Sequence, residues 1–259
     1  MVNVVVAGAT GRLGRMVCDL IDASDDLRLT GAVVSPDGGN VSKEILPGIR
    51  AVAPSDLDVA MAGADVYVDL TTPEAASQII DRIPAYGADI ILGTTAVDGD
   101  VMDRFASEVS SNMVSAIVAS NFSMGINAFW KACSIVARML PDYDIEVVEA
   151  HHASKVDSPS GTAEETVRIL REATGIDDVT YGRQGSDVRR GREIGVHSIR
   201  AGDIVGDHTV IFAGDMERIE LKHGAISREA FALGCVKAIR WIAGRKDGRL
   251  HSMEEVLEA

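Results

Sequence analysis

Apolar and polar positions along the chain alternate between two periods. Short β-branched runs at residues 3–7, 29–34, 64–70, 90–93 and 114–120 predict strands, and most are separated by stretches with a helical repeat. In the helix after the first run, Met16, Val17, Leu20 and Ile21 lie 3, 4, 7 and 8 residues beyond Leu13, an apolar stripe suited to packing on a sheet. Pro73 fits the first turn of another helix, where its missing N–H has no partner to lose; this helix is predicted to run toward Tyr86 and end at Gly87. Strands alternating with helices give right-handed crossovers and a parallel sheet covered on both faces, the doubly wound plan.

After Asn121 the pattern changes. It predicts a helix near 127–140, a strand at 144–150, a polar loop and a helix after Ser160. Strand-like runs follow at 193–200, 208–213 and 218–223. Runs so closely spaced predict a largely antiparallel or mixed sheet, hence a second α+β domain. The tail returns to helix, with Ser227 as a candidate N-cap for 228–243 and Ser252 with Glu255 as a capping box. The expected division is 1–122 with 228–259, and 123–227 between them.

Composition narrows the class. With 259 residues and 46% hydrophobic content the chain can bury two cores. The run Val4-Val5-Val6-Ala7 lacks the basic flank of a signal peptide, and no apolar segment approaches the roughly 20 residues of a membrane span, so a soluble protein is expected. Cys18, Cys133 and Cys235 are far apart and read as buried free thiols. A net charge of -14 argues against nucleic acid or an anionic membrane as partner. An anionic ligand must then be met by a local cluster of cations.

Gly8-Ala9-Thr10-Gly11-Arg12-Leu13-Gly14 joins the first strand to its amphipathic helix. Backbone N–H groups and the positive helix end in such a place suit a dinucleotide pyrophosphate. The spacing is G-x-x-G-x-x-G instead of G-x-G-x-x-G, so the flanking strand and helix carry the reading; the alternative is a tight turn and nothing more. Where an acidic residue for the adenosine 2′-hydroxyl is expected stands Ser35, which argues against strict NAD selectivity. Arg12 either pairs with a 2′-phosphate or is a solvated surface residue. The expected cofactor is NADPH, with NADH as a second possibility.

In an acidic protein with six histidines, His151, His152 and Lys155 crowd into five positions. Imidazole titrates near neutral pH and lysine offers a compact charge, so the cluster reads as an anion site with proton donors. Ser160-Gly161-Thr162 opens a helix whose unpaired N–H groups suit a carboxylate. The alternatives are surface histidines and a serine that only caps its helix. No metal is expected, because no cysteine lies near His151 and His152 and no H-E-x-x-H pattern occurs. His197, His208, His223 and His251 receive no role.

From Glu149 to Ala163 the chain matches E-x-H-H-x-x-K-x-D-x-P-S-G-T-A and so resembles the dihydrodipicolinate reductase family. Agreement extends to Gly8–Gly14, Asp69-Leu70-Thr71-Thr72-Pro73-Glu74, Gly93-Thr94-Thr95, Ala119-Ser120-Asn121-Phe122-Ser123 and the stretch 200–208. The resemblance implies a Rossmann-like N-terminal domain and NAD(P)H-dependent reduction of a cyclic dicarboxylate, 4-hydroxy-tetrahydrodipicolinate, toward lysine. It makes His151 the proton donor or acceptor, Lys155 a second proton donor, and His152, Gly161 and Thr162 substrate ligands beside Ser160. Gly8, Ala9, Thr10, Gly11, Arg12, Leu13, Gly93, Thr94, Thr95, Ala119, Ser120, Asn121 and Phe122 would line the cofactor, and the second domain would build a homotetramer. Many members carry an acidic residue and an arginine where Ser35 and Pro36 stand, which leaves the choice of cofactor open.

Two other readings compete. An extended short-chain dehydrogenase or epimerase would share the glycine loop, but none of Tyr67, Tyr86, Tyr143 and Tyr181 is followed four residues later by the lysine that group requires. A non-catalytic dinucleotide sensor would have no use for clustered proton donors beside a helix start.

Overall fold

Strand β1 (Val2–Ala7) is buried from Val4 onward and turns at Gly8 into helix α1 (Arg12–Asp22). The structure, a computed structural model, describes residues 1–186 and 191–259. Strand β2 (Leu27–Val33) pairs parallel with β1. Beyond it, β3 (Glu44–Leu46) runs antiparallel to β4 (Ile49–Val52), which is itself parallel to β2. A short helix α2 (Leu57–Met61) then carries the chain to the other side of β1. There β5 (Val66–Asp69), α3 (Pro73–Ser77), β6 (Asp89–Leu92), α4 (Gly99–Ser111) and β7 (Ala116–Val118) build outward, all three strands parallel. The winding direction reverses between β1 and β5. The crevice beyond the carboxyl ends of such strands is where open α/β sheets hold ligands.

The helix expected from Pro73 to Tyr86 is two pieces. Helix α3 stops at Ser77, and a 3-10 segment spans Ile80–Tyr86 with Pro84 inside it. Pro84 has no N–H to offer the carbonyl of Ile80, and its ring crowds that carbonyl, so the second piece is not α-helical; the break between the pieces lies before it, at Gln78 and Ile79. Gly87 does close the segment, in a left-handed conformation at φ 73°.

Helix α5 (Met124–Met139) leads into β8 (Asp144–His151), α6 (Gly161–Thr174), β9 (Val179–Tyr181), β10 (Ile194–Arg200), β11 (Asp207–Gly214) and β12 (Glu217–Gly224). Their sheet has the order β12-β11-β8-β10-β9. It is mixed: β11 is antiparallel to β8 and β12, while β10 is parallel to β8 and β9. One face is apolar. Ile145, Val147, Ile194, Val196, Val210 and Phe212 pack there with Phe129 and Trp130 of α5 and Val167 and Leu170 of α6.

The chain returns as α7 (Glu229–Ile242), β13 (Leu250–His251) and α8 (Met253–Glu258). Ala232, Cys235, Val236 and Ile239 of α7 share a core with Val17, Cys18 and Ile21 of α1. Strand β13 pairs parallel with β7, completing the order β13-β7-β6-β5-β1-β2-β4-β3. The buried Asp89 carboxylate ties this return to the sheet, accepting from Ser115 N at 2.9 Å, Gly244 N at 2.8 Å and Lys246 Nζ at 3.1 Å. At the start of α8, Glu255 reaches back to accept from Ser252 N at 3.3 Å.

The chain divides into two compact units, Met1–Met124 with Glu229–Ala259, and Gly125–Arg228. All three cysteines are free and buried, and burial pushes the Cys18 and Cys133 thiols up to about 12. Among the described residues no helix is long and apolar enough to cross a membrane.

Candidate active site

Side chains alternate along a strand, so residues 145, 147, 149 and 151 of β8 share one face. The first two are core residues, Ile145 and Val147; the next two are Glu149, with no exposed surface, and His151, at 8% exposure. The strand thus carries its buried row from hydrocarbon into titratable groups at its carboxyl end. Register brings the partners: His208 of β11 and Ser198 of β10 lie opposite Glu149, and Arg200 lies opposite His151.

Glu149 is the hub. Its Oε2 faces His151 Nδ1 at 2.5 Å and accepts from Arg200 Nη1 at 2.9 Å. Its Oε1 accepts from Arg200 Nη2 at 2.7 Å and from Ser160 N at 3.2 Å. Burial alone pushes this carboxyl up, but the Arg200 fork, the Ser198 hydroxyl and His151 outweigh it and hold it at about 2. Burial lowers the His151 imidazole, and Glu149 opposes that drop. His208 stands edge-on to the His151 ring, 5.2 Å between centroids, and burial together with the charge of His151 takes it down to about 4.

The loop after β8 places the remaining predicted residues. Lys155 Nζ donates to both carboxylate oxygens of Asp157 at 2.8 Å, and Arg200 Nη2 donates to the Asp157 carbonyl at 2.6 Å. His152 is set apart from His151: its Nδ1 pairs with Ser154 Oγ at 2.9 Å, and its Nε2 meets Arg228 Nη2 at 3.4 Å. Ser160 Oγ accepts from Ala163 N at 3.2 Å, capping α6, and meets His208 Nε2 at 3.2 Å. Gly161, exposed and with open space around its missing side chain, begins the helix with Thr162. N–H groups of a first turn have no intrahelical acceptor and suit an anion. Glu149 therefore links His151 to the start of α6, whereas Lys155 and His152 pair within their own surroundings. Among the described residues no group of three or more His, Cys, Asp or Glu side chains is placed to hold a metal ion.

In the other unit the glycine loop lies at the β1–β5 reversal. A Cβ on Gly8, at φ +79°, would sit 2.3 Å from Leu70 O, and one on Gly14 would sit 2.1 Å from Gly8 O. Both positions are closed to any side chain. Helix α1 has Gly11 as N-cap, no side-chain cap and no acidic residue in its first turn. A helix start without negative charge of its own fits a bound pyrophosphate. Ala9 is buried and Leu13 half-buried, while Thr10 and Arg12 are exposed. Buried Asp69 braces the neighbouring turns, its Oδ1 accepting from Thr71 Oγ1 and Thr94 Oγ1 at 2.6 Å each, and its Oδ2 from Tyr67 OH at 3.0 Å. Gly93 lies under the Phe122 ring, which a Cβ would approach to 2.5 Å. Ala119 is buried, Thr95 and Ser120 are exposed, and Asn121 Oδ1 accepts from Ser123 N at 2.9 Å. Ser35 is exposed beyond β2, its hydroxyl accepting from Asp37 N at 3.3 Å.

Glu149, Arg200 and His208 had no role in the sequence reading. The available signal was a pair of charged residues inside runs otherwise fit for a core, at 149 and 200; sheet register, which joins them, is not local information.

Comparison with known proteins covers both units. The family described as dihydrodipicolinate reductase, N-terminus matches residues 2–122, and its C-terminus matches residues 125–257. The 4-hydroxy-tetrahydrodipicolinate reductase of Methanoculleus marisnigri is 42% identical over 257 residues, covering 99% of each chain. That of Methanosarcina mazei is 39% identical over 266 residues, again covering 99% of each. In fold, a dipicolinate-bound dihydrodipicolinate reductase from Paenisporosarcina sp. TG-14 superposes with a TM-score of 0.80 at 22% identity, covering 97% of each chain.

Proposed function

Because the chain belongs to the dihydrodipicolinate reductase family, we propose that it reduces 4-hydroxy-tetrahydrodipicolinate to tetrahydrodipicolinate with NADH or NADPH and loss of water, in the synthesis of diaminopimelate and lysine. The observation that carries this reading is the buried Glu149–His151–Arg200 cluster at the start of α6, a proton-donating imidazole beside an anion-binding helix end.

The Met1–Met124 and Glu229–Ala259 unit is assigned the dinucleotide. Gly8 to Leu13 would cradle its pyrophosphate, with Gly93 to Thr95 and Ala119 to Phe122 lining the rest. When bound, the nicotinamide supplies the hydride. His151 delivers a proton from Nε2, since Nδ1 is held by Glu149. Gly161 and Thr162 bind a substrate carboxylate through the helix start that Ser160 caps, and His152 assists. Lys155 is the second proton donor, released from Asp157 as the dicarboxylate arrives. Replacing Lys155 by alanine is expected to slow turnover at least about tenfold while leaving NADPH affinity unchanged, measured by steady-state kinetics beside direct titration of the cofactor. Unchanged turnover would remove Lys155 from the mechanism.

Arg12 opens α1 beside the glycine loop and is assigned the 2′-phosphate of NADPH. Its replacement by alanine is expected to raise KM for NADPH by roughly tenfold, the loss of a charge-assisted hydrogen bond, with no change for NADH. A homotetramer built through the Gly125–Arg228 unit, working in the cytoplasm, completes the proposal. A mass in solution equal to one chain would remove the tetramer.

The test of the reaction is to follow absorbance loss of NADPH, and separately NADH, on adding freshly generated 4-hydroxy-tetrahydrodipicolinate. Rapid oxidation establishes the activity, and the two rates rank the cofactors. No oxidation of either by folded protein with verified substrate rejects it.

A further inference from the structure

We propose that Glu149, braced by Arg200, is a positioning residue that fixes which nitrogen of His151 gives up its proton; this deepens the reductase reading above and rests on it. An ionised carboxylate only accepts hydrogen bonds, so a carboxylate oxygen 2.5 Å from His151 Nδ1 requires the hydrogen on Nδ1. Nε2 is then the atom that gains and loses the proton. Gly206 lies beside Nε2, where even a Cβ would come within 3.0 Å of that atom. His208 meets the ring edge-to-face at 75°.

Glu149 is held as tightly as it holds. Both its oxygens are engaged: His151 Nδ1 and Arg200 Nη1 meet Oε2, Arg200 Nη2 and Ser160 N meet Oε1, and the Ser198 hydroxyl adds to them. Two parallel bonds from one planar guanidinium leave the carboxylate a single orientation. The same residue that orients the imidazole therefore also receives the N-cap N–H of α6, so proton donor and anion site are set by one group.

This full satisfaction makes glutamine a sharp test. An amide of the same shape has one acceptor oxygen, so its NH₂ must face either His151 and Arg200 Nη1 or Ser160 N and Arg200 Nη2. Facing His151, it imposes the other tautomer, with a neutral Nε2–H that is no acid near pH 7. The charged groups around the ring are Glu149 on its own strand, Arg200 on β10, His208 on β11, and Lys155 with Asp157 in the loop; of these Glu149 favours the imidazolium and Lys155 and Arg200 oppose it. Removing the Glu149 charge leaves the opposition unbalanced.

Two measurements decide the matter. In the wild-type protein, nitrogen NMR of His151 across pH is expected to show Nδ1 protonated throughout and Nε2 titrating. A neutral Nε2–H form in the wild type overturns the proposal, whether or not any variant folds. In kinetics, E149Q is expected to lower kcat by about 10²–10⁴-fold, with NADPH affinity intact and KM for the dicarboxylate moving far less. The limb of its pH profile that falls as His151 deprotonates is expected to move to lower pH, because the carboxylate that favours the imidazolium is gone. A wild-type kcat and profile in folded E149Q also overturns it. If the wild-type enzyme itself consumes no NADPH or NADH with the dicarboxylate, the reaction assignment fails instead, while the NMR result still judges the geometry.

Discussion

His151→Gln is expected to lower kcat by about 10²–10⁴-fold, the usual contribution of a positioned acid or base, without weakening NADPH binding. The side chain ends at a buried carboxylate, so a substitution that abandoned Glu149 would confound lost chemistry with lost stability. Glutamine avoids this, since its amide can still donate to Glu149 but cannot carry a transferable proton. The deficit should therefore fall on turnover, and the descending limb of the pH profile should vanish with it. Steady-state rates across pH, alongside calorimetric titration of NADPH, separate the two effects. A variant with kcat within a few-fold of wild type would place the proton donor elsewhere.

The second large effect is on stability. Arg200→Met is expected to destabilise the Gly125–Arg228 unit by about 3–5 kcal/mol near neutral pH, the usual result of removing one partner of a buried ion pair. Glu149 has no exposed surface, so removing the guanidinium leaves a buried carboxylate without its counter-charge. The pH dependence has a definite sign. Held at about 2 in the folded chain, below the roughly 4.3 of an ordinary glutamate, Glu149 contributes stability above about pH 4 that is lost as pH falls toward 2. The variant lacks that contribution, so the gap between the two proteins should be widest near neutrality and close in acid. Urea unfolding near pH 7 and near pH 3 measures it. A constant gap across this range would mean that Arg200 acts through packing of its stem alone.

The parallel sheet was legible because buried parallel strands are continuous β-branched runs, as in Val4-Val5-Val6, and because the Leu13 to Ile21 stripe repeats at helical spacing. The mixed character of the second sheet followed from short runs too close for crossover helices. What sequence did not reveal was short or non-local. Strands β3, β4, β9 and β13 have two to four residues, lie outside the long β-branched runs that marked β5 and β7, and exist through their pairing partners. The helix expected from Pro73 breaks after Ser77, and Pro84 keeps the second piece from being α-helical, although the apolar pattern continues across both. For the site, clustering of His151, His152 and Lys155 was visible in the chain. That His151 is buried on Glu149 while His152 turns to Ser154 and Arg228 was not, because it depends on strand alternation at the last residue of β8 and on the register that delivers Arg200.

The discontinuity of the first unit has a consequence for how the protein is made. Gly125–Arg228 is uninterrupted and can close its own core as soon as it leaves the ribosome. Met1–Met124 emerges earlier yet must wait. One face of its sheet and α1 are sealed by Ala232, Cys235, Val236 and Ile239, with Met253 and Val256 beyond them. Until those residues are translated, Val17, Cys18 and Ile21 stay open to water and to other nascent chains. The first half synthesised is therefore the last to mature, and it is the half that a chaperone is expected to guard.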